Sequence, residues 1–552
     1  MDTHTSLSKQ SKHVSGDFSG NVFLISSGGE ILQLPMPSPS PRDPLNWSCK
    51  QRAAAGACLM AFSAVSMYAI QVTSILYDFV FRAFSPTVSD MQRLVSTPTL
   101  LMGIGAFVWI PLSLALGRRP VFLLGSLTLS VGTTVAACAQ SFTTLMAGLC
   151  LVGLAAGLAC SLLLLIVIDM TYINERPRQL AMYWAIPSAL TLLSLCLTSV
   201  AKPYLSSFRG IFLTCTIIST SLTTLSLFFL RESFFIRPAV AYDGRVLVQS
   251  STEKVEVYEP WQYCEAGEND LEQERLEVRH KQIPPWMSWM RMSRPFGTSW
   301  KSMLACYPQV LLCVCNPLIF WVTAMNAINF GGMLFVGSTV SSVLARPPYS
   351  LPDQLLSLVN GSAAVGSLVS WPLTVSLGSP IVQKLTVRAG GVRYAENYLI
   401  FYLLPILTGI ASVVLYGLTV AYEWHFSFAC LAYGLNSFSY IGMGLANTLW
   451  VTEAFPRWAA AALIVVGGVS YMASFGISFT IPSWVDTEGF AKTSIEIGVL
   501  LLLAGLVAVP ATLWGKSLRQ AIHGKWSLYE GGALRPHGKR KEEKKVDEEV
   551  EW

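Results

Sequence analysis

Residues 111–122 read Pro111-Leu-Ser-Leu-Ala-Leu-Gly117-Arg118-Arg119-Pro120-Val-Phe122. Two arginines interrupt an otherwise apolar stretch. The runs on either side, 94–116 and 120–140, are each long enough for a membrane helix, which needs about 20 residues. Two such helices joined by a tight, doubly basic turn put that turn on the cytoplasmic side. The rest of the topology propagates from it.

Hydropathy divides the remainder in the same way. Hydrophobic residues are 52% of the 552 and charged residues 13%, against roughly 25% charged in a soluble domain. Mean hydropathy is +0.49. Twelve spans follow, near 53–76, 94–116, 120–140, 143–168, 180–202, 209–230, 307–336, 353–377, 398–420, 424–449, 457–482 and 492–515. The polar stretch 231–306 separates six from six, the layout of two homologous halves. The expected fold is therefore an all-α membrane protein of twelve transmembrane helices in two six-helix bundles. Its expected parts are a disordered N-terminal tail (1–52), a bundle (53–230), a linker (231–306), a second bundle (307–516) and a C-terminal tail (517–552). Lysine and arginine favour a cytoplasmic position for tails and linker, although the short loops alone give only a small excess.

Several function classes are disfavoured. The net charge of +5 is spread over loops and tails, so it is no nucleic-acid footprint. Most of the twelve cysteines lie in apolar runs and read as small hydrophobes. Cys313-x-Cys315 has no neighbouring histidine or acid to complete a metal site. No cofactor or metal is expected. No Gly-x-x-x-x-Gly-Lys-Ser/Thr string supports an ATP-driven pump. Of six histidines, His425 alone lies near a span, which argues against a membrane enzyme.

The spans are nearly free of charge but carry amides and phenols, each of which needs a partner in a dry environment. Such groups serve either as glue between helices or as the wall of a solute cavity. The cavity candidates are Gln71, Tyr183, Asn326, Asn329, Asn360, Asn436 and Asn447; Asn326 and Asn329 lie three apart on one face of span seven. Tyr68, Asn316, Tyr433 and Tyr440 are interior polar groups of the same kind. At the basic turn, Gly117 suits a sharp bend. Arg118 and Arg119 can pair with carboxylates of the neighbouring bundle; Asp169 and Glu175, at the inner end of span four, are the expected partners in such a gate. Proton coupling needs a group that titrates during the cycle. Asp78, Glu423, His425 and Glu496 are candidates, equally readable as rim charges. The Glu423-Trp-His425 string would let a carboxylate tune an imidazole.

Several strings occur in order along the chain: Asp43-Pro-Leu-Asn-Trp47-Ser48, Pro111-Leu-Ser with Gly117-Arg-Arg-Pro-Val121, Asp169-Met-Thr-Tyr-Ile-Asn-Glu175-Arg176, Arg231-Glu232-Ser-Phe-Phe-Ile-Arg237, Pro347-Pro-Tyr349, Gly390-Gly-Val-Arg-Tyr-Ala-Glu396, Trp484-Val and Gly515-Lys516-Ser-Leu-Arg519. With the twelve spans, this set resembles the fungal branch of the major facilitator superfamily that includes drug, polyamine and related proton-coupled transporters. The chain also departs from that pattern. Leu114, Leu149, Ser379 and Tyr398 stand where the resemblance implies charged residues, and Leu149 replaces the arginine usual in drug–proton antiporters. The resemblance implies a secondary active transporter working by alternating access, with proton-coupled efflux of a secondary metabolite or xenobiotic as the first reading. Uptake or uncoupled passage of a nutrient, or a transporter-like protein that binds without cycling, are the alternatives. The uncharged, aromatic interior favours a lipophilic or weakly polar solute over a polyamine. The expected partners are that solute, the bilayer and protons, with no nucleic acid. A plasma-membrane monomer with both termini cytoplasmic is expected.

Overall fold

The computed structural model describes residues 21–23, 34–35, 37–38, 42–204, 207–235, 246–249, 255–258, 295, 298–389, 392–456 and 458–523. Most of the expected linker, much of the N-terminal tail and residues 524–552 lie outside the described residues. So do the disorder expected of those tails and the linker's polar character.

Helices dominate. The first half contains α1 (Cys49–Ile75), α2 (Tyr77–Phe84), α3 (Val88–Leu116), α4 (Arg118–Ala137), α5 (Phe142–Ala156), α6 (Leu162–Asp169), α7 (Arg176–Ala201) and α8 (Phe208–Phe229). The second contains α9 (Trp300–Cys315), α10 (Pro317–Leu344), α11 (Asp353–Arg388), α12 (Leu403–Ala421), α13 (Phe426–Ala454), α14 (Ala459–Leu463), α15 (Ser470–Leu506) and α16 (Ala508–His523). Two small antiparallel ladders accompany them. β1 (Asn21–Phe23) pairs with β4 (Val392–Tyr394), and β2 (Val246–Gln249) with β3 (Val255–Tyr258).

The apolar stretches all fall on helices because a bilayer leaves backbone groups no other partners. Among the described residues, nine helical stretches are long and apolar enough to cross a membrane. One of them, Ala459–Gly515, is broken at Gly489 (φ 78°) and is long enough for two crossings. The α5–α6 pair and the polar-rich α13 make up the twelve.

Three spans are less regular than hydropathy suggests. Span four stops at Ala156 and restarts at Leu162. Between them Ser161 leaves the helical region (φ −139°, ψ −85°). Span seven is two helices, not one. Pro317 cannot donate a backbone bond, and Asn316 ends α9 and caps α10, its Oδ1 accepting Leu318 N–H at 3.0 Å. Span eleven holds a π-turn at Ile464–Val469, a distortion that recurs at functional sites.

The described residues of the N-terminal stretch make specific contacts. Leu34 O accepts Ile173 N–H at 2.7 Å. Buried Asp43 accepts Ser38 N–H (2.9 Å) and Leu45 N–H (3.0 Å). Ser48 and Gln51 then form a reciprocal cap on α1, which satisfies two otherwise orphaned donors.

The halves meet along two seams. α7 packs on α11 and α3 packs on α15. Ser188 Oγ lies 3.1 Å from Ser367 Oγ. Ser478 Oγ lies 3.0 Å from Ser96 Oγ, and Gln92 Nε2 donates to Ser478 O at 3.1 Å. Small side chains of this kind let helices approach closely.

α9 touches both halves. It packs against α3 of the first and α14 of the second. Ser299 N–H donates to Leu114 O at 3.1 Å, and Tyr307 Oη reaches Phe107 O at 3.4 Å. Its outer stripe (Trp300, Leu304, Tyr307 and Leu311) is exposed and apolar, which suits contact with lipid.

Candidate functional site

Charge is concentrated at the end of the bundle that carries Arg118. Gly117 turns the chain between α3 and α4 at φ 98°. A Cβ there would strain the backbone and sit 2.8 Å from Glu232 Oε2. No side chain of the turn caps α4. The carboxylate of Glu232 does so instead, accepting Arg118 N–H at 3.0 Å and Arg119 N–H at 3.2 Å. A helix N-terminus leaves such donors free and favours negative charge. Glu232 also accepts Phe234 N–H at 2.9 Å. Burial pushes its carboxyl above the usual carboxylate range, against the pull of those three hydrogen bonds.

The Arg118 side chain points inward and pairs with Asp169 at the end of α6. Both are buried. Its guanidinium also lies 5.7 Å from the Phe234 ring centroid. Arg119 turns outward along α8 and donates Nη2 to Leu227 O at 2.8 Å. Glu175, expected beside them, is exposed at the start of α7 and makes no ion pair among the described residues. The neighbouring Arg176 takes the cross-bundle role. It pairs with Glu453 at the end of α13, linking the first half to the second. The two side chains are 7% and 4% exposed, so water screens them little. Nothing in the sequence ties residues so far apart. The glutamate at 453 would have stood out only as an acidic residue within a long apolar run.

Toward the middle of the bundle, aromatic side chains from both halves converge. Trp184 of α7 lies edge-to-face with Tyr440 of α13, ring centroids 6.1 Å apart, and 6.3 Å from Tyr183. Phe330 of α10 sits 5.8 Å from Tyr440 and 5.1 Å from Tyr471 of α15. The hydroxyls of Tyr440 and Tyr471 are 2.8 Å apart. Met102 of α3 and Cys160, in the break between α5 and α6, complete the cluster. Each edge-to-face pair contributes about 0.5–1.5 kcal/mol beyond its area. Trp184, Phe330 and Tyr471 were not among the expected cavity residues, because an aromatic in an apolar run carries no signal of where it points.

The amides divide. Asn326 donates Nδ2 to Val466 O in the π-turn at 3.3 Å and accepts from Asn447 Nδ2 at 2.8 Å. This pair borders the aromatic cluster. Asn329 turns to a different neighbour: Ser439 Oγ lies 2.9 Å from its Oδ1 and 2.7 Å from Pro405 O. That is packing within the second half. Tyr183 donates to Ala159 O at 2.6 Å, beside the break in span four. Asn436 is buried in α13, while Gln71 and Asn360 are half-buried in α1 and α11; among the described residues none of these three side chains makes a hydrogen bond.

The four candidate coupling groups stay at the other end. Asp78 is exposed and 2.7 Å from Lys202 Nζ. Glu423 is exposed at φ 54°. His425 caps α13 through Ser427 N–H (3.3 Å), so it turns to its own helix and not to Glu423. Glu496 is half-buried and accepts Trp484 Nε1–H at 2.8 Å. The aromatic cluster itself holds no carboxylate, lysine, arginine or histidine among the described residues.

Comparison with known proteins places this geometry. The family model for the Major Facilitator Superfamily matches residues 57–475. An MFS-type transporter of Schizosaccharomyces pombe is 21% identical over 525 residues, covering 90% of this chain and 89% of its own. Protein HOL1 of Saccharomyces cerevisiae is 20% identical over 538 residues, covering 89% and 91%. Among solved structures, the proton:xylose symporter XylE superposes with a TM-score of 0.60 at 13% identity, over 87% of this chain and all of that one. A partially occluded, inward-open form of XylE from E. coli gives 0.54 over 83% and 97%.

Proposed function

The chain belongs to the Major Facilitator Superfamily, and from that premise we propose that it exports a small, neutral, largely aromatic organic molecule by proton-coupled alternating access. Membership makes it a membrane transporter and not an enzyme. The observation that carries the finer reading is the Arg176–Glu453 pair. It joins the halves at one end, beyond the uncharged aromatic cluster, so its rupture is what opens the cluster to that side. The bias of lysine and arginine supports the cytoplasm as that side, with both termini there and the plasma membrane as the site of action.

Carboxylates withdrawn from water among the described residues include Asp43, Asp169 and Glu453, and Glu232 beside α4. Glu453 pairs with Arg176 across the halves. A proton reaching it would neutralise the carboxylate, leave Arg176 without its counter-charge and favour opening, so Glu453 replaces Asp78, Glu423, His425 and Glu496 as the first coupling candidate. Latch residues Gly117, Arg118, Arg119, Asp169 and Glu232 hold the first half's own end together. The uncharged lining supports a lipophilic metabolite or xenobiotic over a polyamine, whose ammonium groups would need counter-charges.

The test is solute flux in proteoliposomes under an imposed pH gradient, with neutral aromatic solutes and cationic dyes. Flux of the neutral set should follow the gradient in the wild type and lose that dependence in Glu453→Gln. Undiminished dependence in the variant would falsify the assignment. A second reading, an uncoupled facilitator, is favoured by the absence of carboxylate, lysine, arginine or histidine in the aromatic cluster among the described residues; gradient-independent wild-type flux would select it.

A further inference from the structure

Two buried polar atoms at the seam between the halves have no hydrogen-bond partner among the described residues: Trp184 Nε1 and Asn447 Oδ1. Trp184 belongs to α7, and its ring lies so close to Gly444 of α13 that a Cβ there would come within 2.9 Å of it. Asn447 stands one turn further along the same helix and is 4% exposed. Tyr440, Gly444 and Asn447 therefore share one face of α13, the face that meets Trp184.

The orientation of the Asn447 amide is fixed by its neighbours. Val466 O can only accept, so Asn326 turns its Nδ2 toward it. Asn326 is left presenting Oδ1 to Asn447, and Asn447 must answer with Nδ2. Flipping the Asn447 amide would set oxygen against oxygen. The chain of amides is thus anchored at a main-chain carbonyl of the π-turn, and it ends in an acceptor with nothing to accept from. Trp184 Nε1, which can only donate, offers the complementary donor.

We propose that Trp184 and Asn447 form a donor–acceptor pair that recognises a neutral aromatic solute bearing an amide-like N–H beside a C=O, as in a lactam. This rests on reading the aromatic cluster as the cargo cavity. The solute's N–H donates to Asn447 Oδ1, and its carbonyl accepts from Trp184 Nε1. Its ring packs against Tyr440 and Phe330, which lie tilted to one another with centroids 5.8 Å apart and suit a further aromatic. Because one partner lies in each half, the bound solute bridges the seam. A pure hydrocarbon would leave both atoms unsatisfied, which is the basis of selection. A permanently charged solute would find no counter-charge in the cluster.

The test uses the full-length protein in nanodiscs and two probes, 2-quinolone and N-methyl-2-quinolone, titrated by calorimetry. N-methylation removes the donor and keeps ring and carbonyl. The wild type should bind 2-quinolone about 10- to 100-fold more tightly. Asn447→Leu should bind the two alike. Trp184→Phe keeps an aromatic against Gly444 and should weaken both probes by a similar factor while preserving the preference. Equal binding of both probes by the wild type, no saturable binding of 2-quinolone, or a preference that survives in Asn447→Leu overturns the proposal. If Asn447→Leu does not fold, Trp184→Phe decides, and undiminished binding there overturns the proposal equally. Transport is scored separately. Probe discrimination without flux would sink the transporter reading and leave this site standing, whereas flux without discrimination would do the reverse.

Discussion

Replacing Glu453 by glutamine keeps the shape of the side chain and removes its charge. Arg176 would then be buried at 7% exposure without its counter-charge. Removing one partner of a buried ion pair costs about 3–5 kcal/mol. That penalty applies while the halves are closed at this end and vanishes once opening hydrates the arginine. With 1.4 kcal/mol per tenfold change, the equilibrium should move toward the open form by about 10²- to 10³-fold. Cys160 reports the change. It is 3% exposed, and its carbonyl lies 2.9 Å from the place a Cβ on Gly467 of the other half would take. In a background retaining Cys160 alone, its alkylation by a small maleimide should be slow, and Glu453→Gln should speed it by at least an order of magnitude. The double replacement Arg176→Met/Glu453→Met removes both charges at similar volume. It should slow labelling again, because a buried pair exchanged for apolar groups is often neutral or stabilising. A labelling rate in Glu453→Gln within about twofold of the parent would refute the reasoning.

Three further outcomes are expected. Asp169→Asn strands the buried Arg118 guanidinium and should cost about 3–5 kcal/mol of stability, read as a lowered melting temperature in detergent; an unchanged melt would show that Arg118 does not depend on Asp169. Gly444→Ala drives a methyl into the Trp184 ring, an overpacking cost of about 1–3 kcal/mol, and should reduce flux more than Gly476→Ala, where a Cβ meets nothing within 4 Å. Burial raises the Glu232 carboxyl above its ordinary value of 4.5, so between that value and the raised one the folded state holds more proton than the unfolded. Its contribution is therefore present at pH below 4.5 and is lost as pH climbs through the raised value. Glu232→Gln should remove this fall in melting temperature with rising pH, and a wild-type melt that rises over the same window would contradict the assignment.

The spans were legible because each is an apolar run of membrane length, and the basic turn at Arg118 because charge between two such runs is costly anywhere but at a membrane end. Asp169 could be placed near that turn from span length alone. Hydropathy could not see the interruptions at 157–161 and 464–469, since both consist of residues as apolar as the helices around them. The break at Asn316 did carry a signal, an Asn-Pro pair, that apolar neighbours masked. Glu175, expected beside the basic turn, lies exposed at the start of α7, whereas the neighbouring Arg176 faces inward to Glu453, a pairing that no local pattern announces. Glu232 was visible as part of a string, yet its role as a cap depends on the end of α8 returning to the start of α4, which no local pattern encodes. The amides were read as a set, but only their neighbours separate Asn326 and Asn447 at the seam from Asn329 in the packing.

α9 has a consequence for how the polypeptide is put together. At its start it is hydrogen-bonded to Leu114 of the first bundle, and further along to Phe107. A ribosome that has just released the long linker therefore delivers, as its next product, a handle that already fits the finished bundle. Two fragments translated from separate messages, the later one starting ahead of Pro295, would carry that handle between them, so the linker need not act as a leash. Its length is then free to vary without loosening the union of the halves.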